Sequence, residues 1–313
     1  MLRILAARLT SALVAALLSS VVVFVLMRAV PGDIVAQMLG QASDPAAATA
    51  LRGFFGLDRP VHAQFVDWLA QVLQGDLGRS WYQGKRVSAL IWDAFGVTFQ
   101  VALLTLVLAT LIGVPLGVLA GIAEGTRLDA AIQTFNLVGL SAPVFWVGLM
   151  LLVGASSLFA WSPPFAYMPP SVDLADNIAI VILPVLSLAV LQAAAYSHFV
   201  RDCMVAELRR DYVRAAIAKG LSPARIHFRH ALRNILIPLV TFMGLILVQI
   251  LGGTVVIESL FSLPGLGRLI LSGIQGRDYP VVQGALLFVV GIAITINLIV
   301  DLLYGLIDPR LRP

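Results

Sequence analysis

Charge is scarce in this 313-residue chain: Asp, Glu, Lys and Arg together make up 12%, against 59% hydrophobic residues, and the mean hydropathy is +0.94. A water-soluble globule cannot keep its surface wet on so little charge, so the composition points to a membrane protein. Cysteine is nearly absent. Cys203 stands alone, which excludes an intrachain disulfide and leaves an inert thiol as its reading. No G-x-x-x-x-G-K-[ST] phosphate loop occurs, and the GKR at Gly84 lacks the motif. There is no H-E-x-x-H, and GASS at Gly154 is not a G-x-S-x-G elbow, which argues against an intramembrane enzyme. His227 and His230 have a spacing that could share a metal, but the arginines around them would repel one, so no metal site is expected.

What the chain does have is length of apolar sequence. Six runs are long enough to cross a bilayer, which takes roughly 20 residues in a helix: Leu9–Met27, Val97–Ala123, Ala131–Ala160, Ile178–Val200, Ile235–Ile257 and Val281–Val300. With their flanks they give spans at 9–28, 97–123, 131–160, 178–200, 235–257 and 281–305 of a single membrane domain covering 1–313. None alternates as barrel strands would, so the expected class is all-α. The first run follows Arg3 and Arg8 like a secretory leader, but it is longer than a leader core. VLMRAVPGD after it offers no small-x-small cleavage site, so it reads as retained.

Orientation follows from the basic residues. With the N-terminus in the cytoplasm, six spans return the C-terminus there. Thirteen Lys and Arg then fall inside, from Arg3 and Arg8 through Arg127, Arg201 and the 207–233 loop to Arg310 and Arg312, against eight outside. The short inside loops are the denser, as the positive-inside rule expects. The net charge of +4 is thus a topology signal and poor evidence for nucleic-acid binding.

Residues 29–96 form the longest outside segment. RPVHAQFVDWLAQVLQGDLG within it puts Val61, Phe65, Trp68, Leu69, Val72 and Leu73 on one helical face, between Pro60 and Gly75. Such a helix could lie on the membrane, pack on a partner or cover the spans. Gly113, Gly117 and Gly121 recur every four residues and make a smooth ridge for close helix packing, within the subunit or between subunits. Pro115, Pro143 and Pro184 lie inside spans and are candidate kinks. SPPFAYMPP within 161–177 reads as an ordered, extended loop. The 258–280 segment is moderately apolar but broken by Pro264, Gly265, Gly267, Gly273 and Gly276, as a re-entrant or cavity-lining loop would be. Asn136, Ser141, Gln192 and Gln249 are polar positions inside spans and are candidates for a substrate pathway. A polar group satisfied by a neighbouring helix is the default alternative.

One basic stretch interrupts the apolar pattern: DYVRAAIAKGLSPARIHFRHALRNILIP, Asp211–Pro238. Tyr212, Val213, Ala216, Ile217 and Gly220 share a helical side; Arg210, Asp211 and Arg214 fall on another. Gly220 is placed to end that helix, and Ser222 with Pro223 to start a second. Arg225, Arg229 and Arg233 follow at four-residue spacing. Two short helices with a tight corner make a poor membrane anchor and a good plug for a protein groove, unless the stretch is only a positive-inside loop that happens to be helical.

This stretch resembles the coupling-loop signature of bacterial binding-protein-dependent ABC transporter permeases, in their peptide/nickel branch. Arg214–Ala215–Ala216 stands where the general signature has Glu-Ala-Ala, followed by Gly220, and ILIP at Ile235–Pro238 closes it after a longer gap. Both departures resemble the branch form YVRxAxAKGL and HALRNxxIP. ESLFSLPGLGRL, RDYPVVQG and FGLDRPVHAQFVDWLAQVLQGDLGRS are similar to that branch as well, so the resemblance covers nearly the whole chain.

The resemblance implies a type I ABC importer permease fold with six transmembrane helices and both termini cytoplasmic, in the bacterial cytoplasmic membrane. It implies a non-catalytic subunit without a cofactor of its own. The partners would be a sibling permease, two cytoplasmic ATPase subunits holding ATP and Mg, an external or lipid-anchored substrate-binding protein, and membrane lipid. The missing phosphate loop is consistent with ATP being bound by another chain. ATPase coupling would fall to Tyr212, Val213, Arg214, Ala215, Ala216, Lys219, Gly220 and Leu221, with Gly220 needed because a side chain would obstruct the corner. Glu258, Phe261, Pro264, Gly265, Gly267, Arg277, Asp278 and Tyr279 would form the characteristic outside loop. Short peptides are the expected cargo; nickel chelates, glutathione or another small solute are the alternatives. An ion-coupled secondary transporter is the competing class. It usually carries ionisable residues within its spans, whereas here Asp301 and His198 sit only at the edges.

Overall fold

The computed structural model describes residues 2–29, 34–39 and 44–307. Arg310 and Arg312, and the side chains of Arg3 and Arg8, lie outside what is described. The helices in chain order are α1 (Leu2–Ala29), α2 (Ile34–Leu39), α3 (Pro45–Phe54), α4 (Val61–Leu73), α5 (Val87–Ile122), α6 (Arg127–Ser141), α7 (Val144–Phe159), α8 (Leu174–Leu208) and α9 (Asp211–Ala218). A π-helical segment (Arg225–Ala231) follows, then α10 (Leu232–Asn234), α11 (Leu236–Gly253), α12 (Val255–Leu260), α13 (Leu266–Gln275) and α14 (Tyr279–Ile307). Among the described residues there is no strand, only an isolated antiparallel bridge between Arg79 and Arg86.

Among the described residues, five helices are long and apolar enough to cross a membrane, or six if the bent pair α6–α7 is one span. That pair occupies the 131–160 run, which reads as a single crossing in the sequence. It bends by 99° at Ala142–Pro143, where proline lacks the N–H that would continue α6. Pro115 and Pro184, by contrast, lie inside the continuous α5 and α8. At 35 residues, α8 is about 52 Å long, well beyond the roughly 30 Å hydrocarbon core of a bilayer.

The chain divides into two compact units. One joins the chain up to Gly96 with Gly265–Ile294. Its core brings Val87, Ile91 and Ala94 of α5 against Leu266 of α13 and Val281 and Ala285 of α14, with Trp92, Phe95 and Phe288 in edge-to-face contact beside it. The amphipathic α4 packs on α1: Phe24, 2% exposed, meets the Phe65 and Trp68 rings at 5.1 and 5.6 Å. Arg28 lies 3.8 Å over Phe24 and bonds Gln64 Oε1. The buried Asp278 carboxylate accepts from Ser80 Oγ and from the Trp81 and Tyr82 N–H groups. This clamps the 78–87 loop, and the DLGRS and RDYP stretches meet there.

The other unit holds Val97–Pro264 and the segment from Thr295 onward. Its centre is α8. The α5 glycine ridge seats on α8 within this chain: a Cβ at Gly113 would fall 2.5 Å from the Ala193 carbonyl oxygen. At Gly117 it would fall 2.5 Å from that of Ser197, and at Gly121 2.6 Å from Met204 Cβ. A Cβ at Gly139 of α6 would fall 2.7 Å from Ala194 Cβ. Where α8 begins, Asn177 bonds Gln100 and the Met168 carbonyl, and Tyr167 donates to Gln100. These bonds give the Pro-rich loop its order.

Candidate functional site

The elbow after α8 is built from one local rule and one convergence. The rule is helix termination. Gly220 has φ +76°, its N–H bonds the Ile217 carbonyl, and the Leu221 N–H bonds that of Ala216. This is the paired closure of a Schellman motif with glycine in the left-handed position. A Cβ at Gly220 would meet nothing within 4 Å. The expected obstruction is therefore absent within the chain; the backbone angle is what demands glycine.

Val213 and Ala216 turn inward onto Ile226 of the π-helical segment, with Tyr212, Leu208 and Leu221 around them. In that segment Ile226 and Ala231 are both buried. Their five-residue spacing suits the wider i→i+5 winding. Ser222 starts the second helical piece through its carbonyl, which accepts from the Arg225 and Ile226 N–H groups. Arg214, Ala215, Ile217, Ala218, Lys219 and Gly220 are exposed. Ile217 is 61% exposed and nearby in sequence Phe228 is 57% exposed, large apolar surface on a segment that is otherwise cationic.

The convergence is on Glu207, which carries no motif signal. It ends α8 with 6% exposure. Its Oε1 accepts from Tyr212 Oη at 2.9 Å and from Asn234 Nδ2 at 2.7 Å, and its Oε2 pairs with Arg210 Nε at 3.0 Å. One carboxylate thus holds α8, α9 and the approach to α11. Burial first, then the bond to Glu207, push the Tyr212 phenol above its ordinary range. The only sequence clue to Glu207 is an acid three residues before Arg210 and five before Tyr212 in a basic segment. Near the same end of α8, Arg201 forks onto Asp129 at 2.6 and 2.8 Å, and Arg209 reaches Glu124 at 2.5 Å. These bonds tie the α5–α6 turn to the elbow.

The pathway candidates differ in exposure. Asn136 and Gln192 are buried, Asn136 donating to Gln133 Oε1 at 2.8 Å, whereas Ser141 and Gln249 are exposed. The outside-loop residues divide between the two units. Glu258 (1% exposed) and Phe261 belong with α12, where Glu258 accepts from Thr98 and Thr254 hydroxyls at 2.6 and 2.7 Å. Pro264 is exposed, Gly265 precedes α13 and Gly267 is buried within it. Arg277, at φ +53°, leads into Asp278 and the buried Tyr279.

Residues 113–313 match the family described as binding-protein-dependent transport system inner membrane component, and residues 1–102 match the N-terminal region described for such membrane components. Among curated relatives, a probable peptide ABC transporter permease protein of Sinorhizobium fredii is 36% identical over 97% of both chains. The di/tripeptide transport system permease protein DppB of Pseudomonas aeruginosa is 36% identical over 92% of both. A chain of the inward-facing MetNI methionine ABC transporter shares the fold with a TM-score of 0.58 at 17% identity, covering 71% of this chain and 97% of that one. By sequence along nearly its whole length and by fold, the chain belongs to the binding-protein-dependent transport system inner membrane components, and is a multi-pass inner-membrane permease of the type I ABC importer fold.

Proposed function

We propose that this subunit forms half of the translocation pathway of an ATP-driven importer for short peptides, paired with a sibling permease. A binding protein delivers the cargo, and ATP is bound and hydrolysed on two separate subunits. The peptide assignment is supported by the relatives' names, permeases for peptides and di/tripeptides. The observation that carries the mechanical reading is the split of α9 into two faces. Val213 and Ala216 hold it to its own chain, leaving Arg214, Ala215, Ile217, Ala218 and Lys219 outward for a groove on the ATPase subunit.

In this reading the ATPase subunits close on ATP and move α9. Glu207 passes the motion to α8 and α11, and the pathway between the two permeases opens outward to receive peptide. Hydrolysis reverses the movement. The test is Gly220→Trp in the reconstituted importer. The variant subunit should insert normally, because the position is outside the spans and has open space around it. Binding-protein-stimulated ATP hydrolysis should fall at least tenfold, because φ +76° strains any side chain and the indole blocks the seat. Undiminished coupling would refute the docking role.

A further inference from the structure

The 78–87 loop carries a feature that chain stability does not account for. Arg79, Lys85 and Arg86 crowd into eight residues, all exposed. None has an acidic partner among the described residues, and Arg79 bonds only the Gly84 carbonyl of its own loop. They stand at the N-terminus of the 36-residue α5, whose first turn holds no acid. A helix macrodipole disfavours cations there. The loop is nevertheless rigidly made: Arg79 and Arg86 are bridged, the Ser80 N–H bonds the Lys85 carbonyl, and the Val87 N–H bonds that of Gly78. The buried Asp278 fixes its other side through Ser80, Trp81 and Tyr82. Trp81 is packed inward between Phe55 and Tyr279, at 4.3 and 5.2 Å. The next residue, Tyr82, points out and is 62% exposed. A preorganised tip offering one tyrosine and three cations with no acidic partner among the described residues has the composition of a protein-binding hot spot, and its charge selects an acidic partner and speeds encounter with it.

We propose that this loop is a docking point for the binding protein, which would meet it with an acidic surface patch. The proposal rests on the importer reading above, in which 29–96 faces outward. The family itself is binding-protein-dependent, so a protein partner is favoured over a lipid headgroup. The test uses the assembled importer in nanodiscs and the purified cognate binding protein, with ATP hydrolysis followed as binding protein is titrated. Tyr82→Ala with Lys85→Glu and Arg86→Glu should raise the half-saturating concentration at least tenfold and flatten its salt dependence. Basal hydrolysis and the rate at saturation should not change. The milder Lys85→Gln/Arg86→Gln pair, which keeps the loop backbone, should raise it about threefold. An unchanged half-saturation in both variants overturns the docking role while leaving the importer reading intact. A shift present in anionic nanodiscs and absent in phosphatidylcholine ones also overturns it, in favour of headgroup binding. If the binding protein fails to stimulate the unaltered importer, the importer reading falls and this proposal with it.

Discussion

Along its middle, α8 is held by backbone: Gly113, Gly117 and Gly121 let α5 approach until only hydrogen fits between the helices. At its end, α8 is held by polar side chains: Glu207 reaches Tyr212, Asn234 and Arg210. A backbone seam has no soft coordinate, because nothing in it can rotate to a second arrangement. A carboxylate bonded to three separate side chains has several, since each donor can shift while keeping its bond. The helix thus reads as a stiff rod with an adjustable joint where force would enter.

The largest expected effect breaks the rod. Gly117→Leu would set a Cβ 2.5 Å from the Ser197 carbonyl oxygen and 2.7 Å from Val200 Cβ. The first is backbone and cannot turn aside, so the helices must part. Overpacking of this kind costs about 1–3 kcal/mol or more. Thermal unfolding in detergent should show a large drop, and assembly should fail. Gly154→Ala on α7 is the control: nothing lies within 4 Å of its Cβ, and Gly→Ala in a helix gains about 0.5–1 kcal/mol. If both variants melt alike, the seam is not what makes α8 stiff.

The joint should fail differently. Glu207→Ala removes the acceptor for Tyr212 Oη and Asn234 Nδ2 and the partner of Arg210. Hydrogen bonds to a charged group are worth about 1.5–3 kcal/mol each, so some stability is lost. The distinguishing readout is coupling: ATP hydrolysis should continue while transport per ATP falls several-fold. Glu207→Gln keeps an oxygen facing Tyr212 and Asn234 and should recover most of the ratio. Equal losses of hydrolysis and transport in both variants would reduce Glu207 to a structural bond.

Rod and joint differ also in how well the sequence announces them. The four-residue period of the glycines is visible in one helix, since smoothness is a local property. Which helix fills the ridge is not, because Ala193, Ser197 and Val200 are ordinary small or apolar residues of a span. The place of Gly220 at the end of α9 could be read, helix punctuation being a matter of a few neighbouring residues. Its reason could not: φ and open space are facts of the fold. Pro143 was legible as a kink, but a 99° bend depends on what packs on either side. Glu207 was illegible because an acid beside arginines at a span's end looks like a solvated charge. One of the partners that show it to be a joint, Asn234, arrives 27 residues later. The inward turn of Val213 and Ala216 was hidden likewise, since their partner Ile226 lies across the corner.

The smallest effect isolates a single bond of the joint. Tyr212→Phe deletes one hydroxyl that donates to Glu207 and should cost about 1.5–3 kcal/mol, with coupling lowered less than in Glu207→Ala. It should also change the alkaline limb of stability. The Tyr212 phenol is pushed above its ordinary value of about 10 by burial and by Glu207. Folding therefore favours the neutral phenol. Its contribution is whole below the unfolded value and disappears as pH rises through the folded one, where a phenolate would face the Glu207 carboxylate. Melting temperature followed upward from pH 9 should fall more steeply for the native residue than for phenylalanine. Parallel curves would mean that the hydroxyl leaves Glu207 in solution, and that the joint is held by Asn234 and Arg210 alone.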